Sequence, residues 1–176
     1  YADNVKVLRH DGLMAYYPFS GNAMEIINPA DNNGTVIGAV LAADRVNDAN
    51  ASYEFDGNDD WIAINHNGFP MGNAARTISG WVKLDANATG DNTILFYGQN
   101  TQNRGLLLRA DGPGNLEANS WGDDKEVDSS SSIKDGNWHH VAFTSDGNHS
   151  ARLYIDGALA GCLSDWVTDT QSELQA

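Results

Sequence analysis

The sequence predicts an all-β fold, a sandwich or barrel of short antiparallel strands. Three observations lead there. Asp-Gly pairs occur at Asp11, Asp56, Asp111, Asp135, Asp146 and Asp156. Asp tolerates the left-handed backbone and glycine adopts it freely, which suits tight hairpins. Between these turns lie short segments rich in aromatic and β-branched residues, spaced by roughly ten residues. No long stretch with a helical period competes with them.

The elements follow in order. Val5, Val7 and Arg9 alternate with Asn4, Lys6 and Leu8, so Ala2–Arg9 reads as a strand able to lay one face on a sheet. His10-Asp11-Gly12 is a tight turn, and strands follow at Leu13–Phe19, Ser52–Phe55 and Asp60–Asn65. Asp56-Gly57 turns the chain, while Phe55 and Ile62 point to a core. Further strands are predicted at Thr77–Leu84, Thr93–Gly98, Gly105–Ala110 and Asn115–Trp121. The run "DSSSS", Asp128 to Ser132, reads as a short loop. His139–Ser145 and Arg152–Ile155 form a hairpin around Ser145–Asn148.

The adjacent His139 and His140 invite a metal reading, but successive side chains of a strand point to opposite faces. His139 shares its parity with Val141 and Phe143, and His140 with Trp138, Ala142 and Thr144. Val141, Phe143, Leu153 and Ile155 are therefore expected inside, with His139 more buried than His140.

Twenty-four Asp and Glu against ten Lys and Arg give a formal net charge of -14. Such a surface is a poor partner for nucleic acid, which needs clustered cations, and it suits calcium or a basic partner. No apolar run approaches a membrane span. Cys162 is the only cysteine, so no disulfide forms within the chain. The length fits one domain spanning 1–176.

"GLMAYYPFSGNA", "ASYEFDGNDDWIAI", "RTISGWVKL", "GNWHHVAFTSDG" and "RLYIDG", in this order, resemble the laminin-G-like, concanavalin-A-like jelly-roll domains of bacterial extracellular proteins. The resemblance implies two antiparallel sheets packed face to face. It also implies an extracellular or cell-surface, non-catalytic module, often carbohydrate-binding or adhesive and often holding calcium. It points to Asn22, Asp56 and Asp3 as calcium ligands, the last if the N-terminal strand closes the sheet. Asp59 and Asp60 are further candidates beside Asp56.

Family members continue past the "YIDG" turn with more strands than the 19 residues after Gly157 supply, so the domain reads as incomplete at its C-terminus. The N-terminal "YADNVKVLR" resembles the family's closing strand. Three arrangements stay open. The strand can fold back on Leu13–Phe19, insert into a neighbouring copy through Val5, Val7 and Arg9, or be the tail of a preceding repeat. The second makes the chain a filament subunit.

A polysaccharide or other glycan needs an aromatic face and polar side chains for its hydroxyls. Tyr97, Gln99, Asn100, Asn103 and Arg104, with Asn119 and Trp121 beside them, are the candidates. Catalysis has little support. Glu25, Glu54, Glu117, Glu126 and Glu173 do not form the Glu-x-Asp-x-x-Glu pattern of concanavalin-like glucanases, and no GxSxG, P-loop or Cys–His arrangement occurs. The sequence thus points to an extracellular β-sandwich module for glycan binding or adhesion, with a strand-exchanged structural subunit as the alternative.

Overall fold

In the computed structural model, which describes residues 1–9, 12–122 and 125–171, the chain is almost entirely β. The strands are β1 (Ala2–Arg9), β2 (Gly12–Tyr17), β3 (Thr35–Ile37), β4 (Val40–Ala42), β5 (Ser52–Glu54), β6 (Trp61–Ala63), β7 (Arg76–Lys83), β8 (Asn92–Gly98), β9 (Gly105–Ala110), β10 (Asn115–Ser120), β11 (Glu126–Ser132), β12 (Trp138–Ser145), β13 (Ala151–Ile155) and β14 (Ala158–Leu163), with one short helix at Pro29–Asn32.

Eight strands form one sheet in the order β14–β13–β12–β7–β1. The other side of β1 pairs with β2 along Val5–Arg9 and meets β5 at Ala2, and β5 pairs in turn with β4. The second sheet runs β11–β10–β9–β8, and β3 and β6 form a separate pair. All pairings are antiparallel; short loops join neighbours such as β9–β10 and β12–β13, while β1–β7 and β7–β12 bring together strands far apart in the chain.

Strand alternation builds the core. Ala15, Val7, Ile78, Phe143 and Leu153 stand opposite one another across β2, β1, β7, β12 and β13, and all are buried. From the facing sheet, Leu106, Leu108, Leu116, Ala118 and Val127 join the same cluster. A single apolar core between two antiparallel sheets is a β-sandwich. Trp166 closes one end, fully buried with its ring 5.3 Å from that of Phe143.

The N-terminal segment pairs within its own chain. It forms a hairpin with β2 and lies against β7, with Val7 opposite both Ala15 and Ile78. The His10-Asp11 part of the connecting turn lies outside the described residues. Among the described residues, no helix is long and apolar enough to cross a membrane.

Several expectations need correction. "DSSSS" belongs to β11, because Val127 and Ser129 face inward and the Ser129 hydroxyl accepts from the Leu116 backbone N–H. Ile155 is only half-buried, because it ends β13 at the turn into β14. His139 and His140 lie on opposite faces as expected, His139 on that of Val141 and Phe143, and both are half-buried. His139 sits at the rim, where Asp156 and Asp135 carboxylates bind its two ring nitrogens at 2.8 and 3.2 Å. His140, on the opposite face, meets the Trp81 ring edge-on at 5.4 Å.

Candidate functional site

The outer face of the four-stranded sheet carries two cross-strand rows. Phe96, Leu107, Asn119 and Glu126 stand opposite one another in the first, and Thr93, Arg109, Glu117 and Asp128 in the second. Trp121 follows at the end of β10, and its ring and that of Phe96 meet edge-on at a separation of 5.4 Å. Glycine makes room for this pair. A Cβ at Gly105 would lie 2.6 Å from the Phe96 ring, so only a residue without a side chain lets Phe96 lie there.

Arg109 grips Glu117 through two parallel bonds, Nε to Oε1 and Nη2 to Oε2, each 3.0 Å, and reaches Asp91 with Nη1 at 2.7 Å. Bidentate charge-assisted pairs of this kind fix both partners. Burial opposes the Arg109 charge, but its hydrogen bonds to Glu117 and the charges of Glu117, Asp91 and Glu126 raise its pKa above the ordinary value. Burial pushes the Asp128 carboxyl up, and the Glu117 and Asp111 charges add to this. The Asn119 amide donates to Glu117 Oε1, while its buried Oδ1 has no hydrogen-bond partner.

The loop Gln99–Arg104 closes over this end of the sheet. The Asn103 N–H donates to the Trp121 carbonyl at 2.7 Å, and Asn103 Oδ1 is likewise buried and unpaired. The fold therefore gathers Asn103, Asn119 and Trp121, with Gln99 and Arg104 on the same loop and Asn100 exposed. Tyr97 is not with them. It is 2% exposed in the core, its hydroxyl bonded to Arg76 and the Pro70 carbonyl. An irregularity between Thr93 and Leu95 of β8 shifts the register, so Phe96 takes the outward position. Phe96, Arg109 and Glu117 escaped the sequence reading. The shared parity of Glu117 with Asn119 is the signal that was available.

Of the calcium candidates, Asp56, Asp59 and Asp60 come together, their carboxylate oxygens within 4.8 Å of one another. Asp60 Oδ2 accepts from the Asp56 N–H at 2.9 Å. The Asn58 side chain and backbone both donate to Asp56 and hold its carboxyl below the usual range. A Cβ at Gly38 would lie 1.7 Å from Asp60 Oδ1, so glycine permits this close approach. Three hard oxygen ligands suit calcium chemically. Asp3 is elsewhere, 2% exposed and bonded to Arg45 Nη1 at 2.6 Å, because the place it takes opposite Trp81 faces the Arg45 loop. The Asn22 Oδ1 is used by the Met24 N–H in its own turn.

The sequence pattern of the laminin-G type in the concanavalin A-like lectin/glucanases superfamily matches residues 56–173. The chain belongs to this superfamily. The match takes in β6 through β14 and so includes the whole four-stranded sheet of this concanavalin A-like domain. Among solved structures, an S-layer domain-containing protein from Clostridium thermocellum is similar at 21% identity, with a TM-score of 0.43 over 91% of this chain and 74% of that one. No curated protein matches the concanavalin A-like chain.

Proposed function

We propose that the domain is an extracellular or cell-surface, non-catalytic module that binds a polysaccharide on the outer face of its four-stranded sheet. One observation carries this reading: the buried, unpaired amide oxygens of Asn103 and Asn119 flank Trp121. An unsatisfied buried acceptor is costly, and both oxygens lie just beneath the surface, so a shift of the Gln99–Arg104 loop on binding would let a sugar hydroxyl donate to them while the indole covers the sugar's apolar face. Glu117 is committed to Arg109 through both oxygens, which argues against its use as an acid or nucleophile. Calcium at Asp56, Asp59 and Asp60 belongs to the same proposal, as a brace for the turn between β5 and β6.

The test is a panel of bacterial and plant polysaccharides against the native protein, Trp121→Ala and Asn119→Ala, with reducing-sugar release measured in parallel. Binding that weakens about tenfold in Trp121→Ala supports the reading. Binding by no member of the panel, equal binding by the variants, or release of reducing sugar refutes it.

A second reading, a structural subunit of an extracellular filament joined by strand exchange through the N-terminal segment, is favoured by a different observation. A groove of about 1090 Å³ opens between β6 and β8. Among the described residues, β8 pairs only with β9 and β6 only with β3, so both present backbone edges to the groove. Its rim includes Glu54, Asp56, Asp60, Asp85 and Asp91, and Ala2–Arg9 brings Lys6 and Arg9. In this chain that segment lies between β2 and β7, and its Ala2 and Val5 form part of the wall of the same groove, so polymerisation would exchange one pairing for another and refill that wall from a neighbouring copy. Negative-stain microscopy of native material tests it: filaments that a synthetic Ala2–Arg9 peptide disperses support it, and single particles at all concentrations refute it.

A further inference from the structure

We propose that the outer face of the eight-stranded sheet holds an oxyanion site made by Lys6, Arg45 and His140, suited to the carboxylate or sulfate of an acidic sugar. The site stands on its own geometry; the choice of a sugar as the carrier of the oxyanion rests on the glycan reading above.

Acidic residues outnumber Lys and Arg by 24 to 10 in this chain. Yet Lys6, Arg45 and His140 line one recess of about 290 Å³ with Ser79 and Trp81. Strand register builds it. Lys6 of β1 stands opposite Ser79 of β7, and in the next row His140 of β12 stands opposite Trp81 of β7. Arg45 arrives from the loop after β4 and lies over the Trp81 ring, its guanidinium 4.9 Å from the ring centre.

The buried Asp3 takes one Nη1 bond from Arg45 at 2.6 Å and so anchors the guanidinium without consuming its other N–H groups. Asp44 is 3.9 Å from the same nitrogen, and its Oδ1 already accepts from the Val46 and Asp48 N–H groups. The Lys6 ammonium rests 4.9 Å from the Tyr16 ring centre and has no carboxylate within ion-pair distance among the described residues. Trp81 is covered by Arg45 and meets His140 edge-on, so it serves as a wall and not as a stacking platform.

Three cationic or ionisable donors and a hydroxyl thus converge in a recess whose lining holds no acid; Asp3 and Asp44 meet Arg45 from beside it and offset part of its charge, while Lys6 keeps its own. Burial, and then the Lys6 and Arg45 charges, hold the His140 pKa below its ordinary value, against the pull of Asp156 from the β13–β14 turn. A bound oxyanion relieves this repulsion and accepts from all the donors at once. Affinity should therefore rise as pH falls through the His140 pKa.

The experiment follows the titration of the five histidines by proton NMR in the 176-residue protein. Sodium glucuronate, sodium sulfate and glucose are compared at constant ionic strength. Glucuronate and sulfate should both raise the His140 pKa and leave His66 unmoved, and glucose should do nothing. Lys6→Gln should weaken glucuronate binding about fivefold, and Lys6→Arg should retain it. Arg45 holds a buried carboxylate, so Arg45→Lys, which keeps the charge, replaces a truncation there and should weaken binding with an unchanged circular dichroism spectrum. A His140 titration that neither anion moves overturns the site. Sulfate acting without glucuronate overturns the sugar-acid assignment. The glycan reading fails separately, on Trp121.

Discussion

Val7→Ala measures how far β1 belongs to the core of its own chain. Val7 has no exposed surface and stands between Ala15 and Ile78. The substitution removes two methyl groups, about 1.6 kcal/mol of transfer free energy at about 0.8 kcal/mol per group. Neighbours fixed on both sides by strand pairing relax poorly, so a cavity contribution raises the cost to about 2–3 kcal/mol. With a urea slope of about 2 kcal/mol per molar, the midpoint should fall by about 1–1.5 M with an unchanged slope. The melting temperature should drop by about 4–12 °C. Lys6→Gln, one residue away and on the other face, should stay within about 0.5 kcal/mol. Because β1 pairs in cis, the midpoint should not depend on protein concentration, whereas a strand borrowed from a neighbour makes it concentration-dependent. A Val7→Ala cost below about 0.5 kcal/mol, or a midpoint that rises with concentration, would refute the reasoning.

Phe143→Ala should cost about 3–5 kcal/mol in the same urea assay, since Phe143 is fully buried and packs on Trp166; a loss below about 1.5 kcal/mol would show the wrong face of β12 inside. Burial alone lowers the His139 pKa, but bonds and charges from Asp156 and Asp135 raise it above the ordinary value. The stability this supplies is complete below the unfolded histidine pKa of about 6.5 and is lost as pH rises through the higher folded value. His139→Gln should therefore flatten the melting-temperature profile across this window; an unchanged profile counts against it. Hydrogen bonds from the Asn137 side chain and backbone, and then from His139, hold Asp135 at about 2, so its contribution is present above about pH 4 and disappears as pH falls through the folded value. The proposed calcium ion predicts a higher melting temperature in excess Ca²⁺ than in chelator for metal-stripped protein, an advantage that Asp59→Asn with Asp60→Asn should abolish; equal melting temperatures in native protein would remove the ion from the account.

What the sequence determined by itself is what a few neighbouring residues encode. The turns at Asp56-Gly57, Asp146-Gly147 and Asp156-Gly157 and the alternation of Val141, Phe143 and Leu153 were legible because turn chemistry and a period of two are local properties. The ordered motifs from "YYPF" to "LYIDG" carried the fold class for the same reason. Short strands such as Thr35–Ile37 and Val40–Ala42 were not legible, since three residues give no period, and "DSSSS" hid a strand because only Val127 and Ser129 face the core. Tertiary structure decided the rest. Nothing near Arg76 announces that it is buried, with Tyr97 and Thr170 as partners from distant segments. Tyr97 and Phe96 exchanged faces through one irregularity in β8, and a shift of one residue moves a side chain to the other face. Lys6, Arg45 and His140 lie far apart in the chain and share a recess only because β1 lies against β7 and β7 against β12. Sites of this kind are set by which strands become neighbours, and that choice is made by burial across the whole sandwich, beyond the reach of any local pattern.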